Sequence, residues 1–386
     1  MNWDWLTHLN ASHEAAARIT IILRCCPPVK RFLYYTLCIL GVLTTTNAGA
    51  ASPFNLLPDR GDAYLSFYLD NDLFAGTDEN YTNGARLAWL SGARDPEQFG
   101  VVQRGLRRLT GDDDSLRIFQ RISGFRDPTN IEYNYGTSIT QLMFTPQDPD
   151  APESPPGESP YAGWLGLGFS LHAKDSYAIN SVELSIGTVG PNSQAREAQD
   201  FIHKLKGVDR FKGWDSQIPN EPTLNLFYSQ KRRMTFLEFE WGRFAVDGFS
   251  EWGAGLGTFR TDLYLGALTR FGWNLPVDFS DPRLSPTAYS HQPFKTDRRE
   301  IGQWSFYGLF GLRGSAVAHD ITLDGPVFNK FDTGATRKPF IGGLYAGFGL
   351  RYRDLKFTYV QTYRSRRFKQ QNSGRSFGSI AVSYRF

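Results

Sequence analysis

The chain has 386 residues, with 42 Lys+Arg against 39 Asp+Glu. The first 50 residues hold four of those cations and two of the anions, which leaves the remainder at +1, too even a balance for the electrostatic footprint of a nucleic-acid partner. All three cysteines, Cys25, Cys26 and Cys38, fall in the same 50 residues, so the chain beyond residue 50 has no disulfide, no thiolate metal site and no catalytic cysteine.

The N-terminal stretch reads as an export signal. Lys30 and Arg31 precede the apolar run Phe32 to Leu43, and Ala48-Gly49-Ala50 offers a small-residue cleavage site. The run is too short to cross a bilayer as a helix. Residues 1–28 are long for a signal's charged region, and Val29 would be the start if its codon is GTG. The expected organisation is a signal peptide with extra N-terminal residues over 1–50 and one mature domain over 51–386.

Beyond residue 50 nothing approaches the ~18 consecutive apolar residues of a spanning helix. What recurs is polar/apolar alternation in segments of roughly ten residues, the pattern of a transmembrane antiparallel β-barrel. Its clearest case is the C-terminus, where Ile380, Val382, Tyr384 and Phe386 alternate with Ala381, Ser383 and Arg385. The alternation predicts about twelve strands: 62–72, 81–91, 132–145, 161–173, 176–188, 222–231, 234–246, 260–272, 301–318, 339–353, 355–364 and 376–386. In the seventh, Glu238 and Glu240 would face a polar lumen and pair there with cations such as Arg351 and Arg353, a plainer reading than a two-carboxylate hydrolase.

An even strand count puts both termini in the periplasm. The tight joins at Lys174-Asp175, Arg232-Arg233 and Asp354 are then periplasmic, and 73–80, 146–160, 189–221, 247–259, 319–338 and 365–375 face outward. Two periplasmic stretches, 92–131 and 273–300, break the short-turn rule. A soluble sandwich fits neither the export signal nor the aromatic C-terminus.

Chemistry-bearing residues collect at the outward end. Asp70-Asn71-Asp72 closes the first strand, and Tyr81-Thr82-Asn83-Gly84 opens the second. Three such residues in a row are poor strand formers, which suggests use as ligands, although a solvated turn would also hold them. The outer segment 189–221 contains a predicted short helix from Gln194 to Lys206, capped by Ser193 and ended by Gly207. Ala195, Ala198, Ile202 and Leu205 would form its apolar face. Gln199 and His203 are neighbours one turn apart, and Asp209 comes just past Gly207. A histidine with a nearby carboxylate can act as a general base; it can equally be a solvated loop histidine. His319, beside Asp320 on the same side, is the rival, while His172 and His291 fall toward the periplasm. Oxygen donors at Asp70, Asn71, Asp72 and Thr82 would suit Ca²⁺. There is no EF-hand loop, since Phe74 and Ala75 occupy ligand positions, and no Gly-x-Ser-x-Gly elbow.

Four stretches together resemble the outer-membrane lipid A 3′-O-deacylases: Asn71-Asp72-Leu73-Phe74 with Thr77-Asp78 and Tyr81-Thr82-Asn83-Gly84; Met143-Phe144-Thr145-Pro146 with Pro160-Tyr161-Ala162-Gly163-Trp164; Gly190-Pro191 with Gln199 and His203; and Gly213-Trp214 with Gln217 and Asn220-Glu221. The resemblance implies a twelve-stranded barrel in the Gram-negative outer membrane, inserted by the barrel assembly machinery among outer-membrane lipids. It implies Ca²⁺-dependent hydrolysis of the 3′-linked acyloxyacyl ester of lipid A, the anchor of lipopolysaccharide. It would make Asn71 and Asp72 the polar pair near the metal, Thr82 the site hydroxyl and His203 the base. Asp209 falls where the family carries an acidic residue, Glu, with a longer side chain. A lysine of the family's second outer loop has no counterpart in 146–160. The competing expectations are a passive porin, a phospholipid-cleaving outer-membrane lipase and an adhesin.

Overall fold

The computed structural model describes residues 63–71, 83–92, 123–126, 131–146, 148–156, 158–207, 209–279, 283–285 and 304–386. Residues 58–196 and 209–386 form one compact unit, and 197–208 belong to another. The proposed signal peptide lies outside the described residues.

Among the described residues thirteen strands form one antiparallel sheet: β1 (Tyr64–Asn71), β2 (Asn83–Leu90), β3 (Glu132–Phe144), β4 (Ala162–Lys174), β5 (Ala178–Val189), β6 (Glu221–Arg233), β7 (Phe239–Trp241), β8 (Phe244–Gly257), β9 (Arg260–Trp273), β10 (Trp304–Asp320), β11 (Phe340–Tyr352), β12 (Leu355–Arg364) and β13 (Arg375–Arg385). Sequential neighbours pair, β1 pairs β13, and β6 pairs β8, which closes a barrel of twelve strands with the three-residue β7 as a short flap on β8. Strand alternation decides what each wall residue meets. Leu167, Phe169 and Leu171 point outward and are exposed to what would be lipid, while Ser170 and His172 between them are buried in the lumen. Across the short-turn end, Trp241, Phe244, Trp273, Trp304, Tyr352, Tyr384 and Phe386 are all exposed, an aromatic girdle at the membrane boundary.

The predicted seventh strand is displaced. Residues 235–237 form a single 3₁₀ turn, β7 comes next, and the barrel strand is β8, so 247–259 is wall and not an outer loop. Glu238 and Glu240 are exposed in this periplasmic connection, and Arg353 is exposed in the β11–β12 turn. Arg351 alone of the four proposed lumen charges is buried. The true strand hid because Gly248, Gly253, Gly255 and Gly257 thin its alternation. One of these is required by packing: a Cβ on Gly253 would come within 2.4 Å of the Tyr264 ring, which lies over it inside the barrel.

The lumen is filled by paired charges. Glu183 takes both guanidinium nitrogens of Arg86, at 2.7 and 3.1 Å, and Glu251 accepts from Arg283 and Arg313 at 2.8 and 3.0 Å. Toward the periplasm Arg270 holds Asp247 and Asp278, and Lys356 reaches Asp278 at 2.9 Å. Of the two long periplasmic connections, the described part of the first, 123–126, packs on the outer face, where the Ser123 carbonyl accepts from the outward-parity Asn180 and Gln230 at 3.0 and 2.9 Å; the second turns inward. Leu275 and Phe279 are buried, with the Phe279 carbonyl bound by Lys231 at 3.1 Å. Arg283 and Leu284 continue up to line a cavity of about 260 Å³.

Candidate active site

One row of residues crosses the outward end of the sheet. Asn71 stands opposite Asn83, Asn83 opposite Met143, and Met143 opposite Gly163. The Gly190 amide then donates to the Gly163 carbonyl at 2.9 Å. All of these strand residues have the parity that points away from the lumen. The Asn71 side-chain amide donates to the Asn83 side-chain oxygen. Asp70, one residue earlier, points the other way, is 3% exposed and lines the lumen cavity with Arg86 and Arg260. The Asp70-Asn71 pair thus divides between two faces, and Asp70 is not part of an outer ligand set.

The segment after β5 is seated on this row. Gly190 has φ 91°, and a Cβ there would meet the Asn220 nitrogen and the Ile218 oxygen at 2.7 Å, so glycine is needed on both counts. Pro191–Ser193 makes one 3₁₀ turn. Ser193 Oγ donates to the Gly190 carbonyl at 2.6 Å and does not cap the helix as expected. Gln194 takes a left-handed conformation at φ 56°, and helix α1 runs Ala195–Lys206. Gln141 Nε2 donates to the Ser193 carbonyl at 2.8 Å, and Asn220 Oδ1 accepts from the Asn192 amide at 2.6 Å.

The return segment is pinned nearby. Trp214 is fully buried against Tyr161, ring centroids 5.4 Å apart, and a Cβ on Gly213 would strike the Tyr161 ring at 2.3 Å. Burial pushes the Tyr161 phenol up to about 12. The Lys212 amide donates to the Pro149 carbonyl at 2.8 Å, and its ammonium, its pKa raised by a hydrogen bond to Asp150, lies 2.8 Å from that carboxylate. Glu221 is 1% exposed and accepts the amides of Val327, Phe328 and Asn329 at 2.7, 2.8 and 3.2 Å, which fixes the outer loop between β10 and β11.

Of the five expected site residues, three lie among the described residues. Asn71 is on the outer row. Asp72 and Thr82 lie outside the described residues. Asp209 is exposed and opens the return segment. His203 is on α1, half-buried. Along that helix the least exposed line runs Ala195, Gln199 and His203, four residues apart, whereas Phe201 and Ile202 are 42% and 37% exposed. Of the expected apolar face, Ala195 is buried and Ala198 half-buried while Ile202 is exposed, so hydropathy alone does not mark the least exposed line.

The rival, His319, binds the Thr258 carbonyl through Nε2 at 2.8 Å and faces Asp324, not Asp320, at 3.6 Å. Asp320 is engaged by Arg260 and Arg367 and caps the short helix α2 (Ile321–Asp324). His172 is deep in the lumen between Ser170 and Ser181; His291 lies outside the described residues. Asn83 and Gln141 were not singled out as site residues from sequence. A signal existed: a Gln at a lipid-facing position of a barrel strand is costly unless something covers it.

Among the described residues no three His, Cys, Asp or Glu side chains gather as a metal cluster. The donors of the outer row are the amide side chains of Asn71 and Asn83, held side by side; with the carboxylate of Asp72 next in sequence this all-oxygen chemistry suits a hard cation such as Ca²⁺.

The sequence model of the outer membrane protein LpxR family matches residues 35–386. Among solved structures the fold is similar to LpxR from Salmonella typhimurium, with TM-score 0.64 and 16% identity over 84% of this chain and 100% of that one. The β domain of the Bordetella autotransporter Brka is more distant, at TM-score 0.39 and 9% identity, covering 85% and 99%. No curated relative matches the sequence.

Proposed function

The chain belongs to the LpxR family of outer membrane proteins, and on that premise we propose that it is a lipid A 3′-O-deacylase, a carboxylic ester hydrolase that acts in the outer leaflet. The observation that carries this reading is the outer row: residues from three of the four motif stretches, distant in sequence, occupy consecutive register positions on the outward face of the rim. A substrate whose acyl chains lie in the outer leaflet would meet the barrel on that face.

In this reading His203 takes a proton from the attacking water and later returns it to the leaving alkoxide. Asp209 stands near enough in sequence to orient the imidazole. Asn71, Asp72 and, beside them, Asn83 would hold Ca²⁺, which when bound supplies Lewis-acid stabilisation of the charge on the ester oxygen. Thr82 offers a hydroxyl to the substrate or to water. Asn83 holds the Asn71 amide in one orientation, so one of its groups is fixed before substrate arrives. The passive-porin reading gains nothing from the lumen, where buried ion pairs and the inward-turned segment 274–279 occupy the bore.

The test is lipid A mass spectrometry from cells expressing the protein, with His203→Ala, Asp72→Ala and Ca²⁺ chelation as arms. Loss of the 3′-linked chains in wild type only is the expected result. Unmodified lipid A in the wild-type arm, with the barrel verified in the outer membrane, would refute the enzyme assignment.

A further inference from the structure

We propose that Gly163 and Gln141 are positioning residues for this reaction, seating the start of the His203 helix against the barrel's outer wall; the proposal rests on the hydrolase reading above. The wall at this point is unusual for a lipid-facing surface. At Gly163 a Cβ would lie 2.2 Å from Ser193 Oγ and 2.4 Å from Ala195 Cβ, so the two residues that lead into and begin α1 occupy the space where any other side chain would stand. Ala195 Cβ is bonded directly to the backbone and cannot swing aside, and Ser193 Oγ could rotate away only by giving up its bond to the Gly190 carbonyl.

Next to this gap, Gln141 projects outward from β3 and donates Nε2 to the Ser193 carbonyl at 2.8 Å. A primary amide facing lipid without a partner would be costly; here it is spent on the same residue that fills the Gly163 gap. Two further contacts complete the seat: the Gly190 amide on the Gly163 carbonyl at 2.9 Å, and Ser193 Oγ on the Gly190 carbonyl at 2.6 Å. The helix start is therefore located along the strand by Gln141, perpendicular to the sheet by Gly163, and in rotation by the left-handed Gln194. Since α1 is continuous from Ala195 to Lys206, a shift of its first turn is transmitted about two turns along to His203.

The experiment measures kcat and KM of the purified, detergent-solubilised barrel on lipid A. Gly163→Ala forces a displacement on the order of 1 Å, which should lower kcat by roughly 100-fold with KM within about twofold, because misplacement at the reacting group and not lost binding is the cause. Adding Ser193→Gly and Ala195→Gly removes the two atoms that the new methyl strikes and should restore the rate to within about fivefold of wild type, the remaining deficit being the lost Ser193–Gly190 hydrogen bond. Gln141→Met, which keeps the side chain's shape and cannot donate, should cost about fivefold in kcat, the worth of one hydrogen bond, and stands in if Gly163→Ala does not fold.

A wild-type kcat in Gly163→Ala, or a triple variant as slow as the single one, would overturn the proposal. His203→Ala is run in parallel. If it is inactive while Gly163→Ala and Gln141→Met are fully active, only the positioning role falls; if it is fully active, the His203 base assignment falls and the positioning role with it, whereas a wild type that leaves lipid A intact sinks the hydrolase reading itself.

Discussion

Arg270 is the residue on which the periplasmic half of the lumen most depends. It is 1% exposed; Nε and Nη2 donate to the two Asp247 oxygens at 2.9 and 2.6 Å, Nη1 to Asp278, and Nη2 also to the carbonyls of Pro276 and Asp278 at 3.0 and 3.3 Å. Arg270→Met keeps the stem and deletes every one of these bonds. Removing one partner of a buried pair costs about 3–5 kcal/mol, mainly because a charge is left buried without its counter-charge. Here both orphaned carboxylates keep a cation, Asp278 with Lys356 at 2.9 Å and Asp247 with Arg233 at 3.5 Å, so the expected cost sits at the low end, about 3 kcal/mol. The assay is urea-driven unfolding and refolding in lipid vesicles for wild type, Arg270→Met, Asp247→Leu and the double variant. The double variant should lose less than the sum of the singles, by about 1–3 kcal/mol of coupling. A single variant within about 0.5 kcal/mol of wild type, or strict additivity, would refute the view that this network holds the inner segment 274–279 in place.

Two further outcomes concern the rim. The Tyr161 phenol, pushed up to about 12 by burial from an ordinary value near 10, favours the fold while it stays protonated. Rim stability should thus be flat below pH ~10 and fall as pH rises through 10 to 12; limited proteolysis of the 145–160 and 209–220 segments across that range checks it, and Tyr161→Phe should abolish the alkaline step. His319→Gln should leave deacylation, read by lipid A mass spectrometry, within about twofold of wild type, because a ring whose Nε2 is tied to a backbone carbonyl is a brace of the β8–β9 turn; loss of activity there would move the general-base assignment from His203 to His319.

Much of the fold was legible because a barrel writes its two environments into alternate residues. Eleven of the twelve expected strands correspond each to one observed barrel strand, the range 234–246 catching only β7 and the start of β8, and the terminal strand alternates as read, Ile380, Val382 and Tyr384 outward and Ala381 and Ser383 inward. The failure at 234–246 has a physical cause. Phe239 and Trp241 belong to the aromatic girdle and are 60% and 78% exposed, so a periplasmic flap at the membrane boundary mimics the period of a spanning strand. The real β8 carries lumen charges and glycines under aromatic rings, which reads as loop. The inward course of 274–279 was invisible for another reason: Asp278 and Phe279 are placed by partners on β6, β8, β9 and β12 that no local pattern announces. At the candidate site, Asn71 and the Gly190-Pro191 turn were legible as motifs, whereas Gln141 and the Gly163 gap depend on a contact between β3, β4 and a loop far along the chain.

The same strands serve two purposes on their two faces, and the period of two keeps them apart. At the outer rim Asp70, Leu142 and Trp164 line the lumen, while their immediate neighbours Asn71, Gln141 and Gly163 face outward to the proposed chemistry. A barrel whose lumen is locked by paired charges has a fixed register, because a slip of one residue would turn Arg86, Glu183 and Arg270 toward lipid. That lock also fixes which residues stand on the outside, without any ligand being present. The lumen charges hold in register an outer wall on which Asn71, Asn83, Met143 and Gly163 fall in one row. A rigid wall of this kind suits a site whose remaining groups arrive on loops, since only one of the two partners then needs to be positioned.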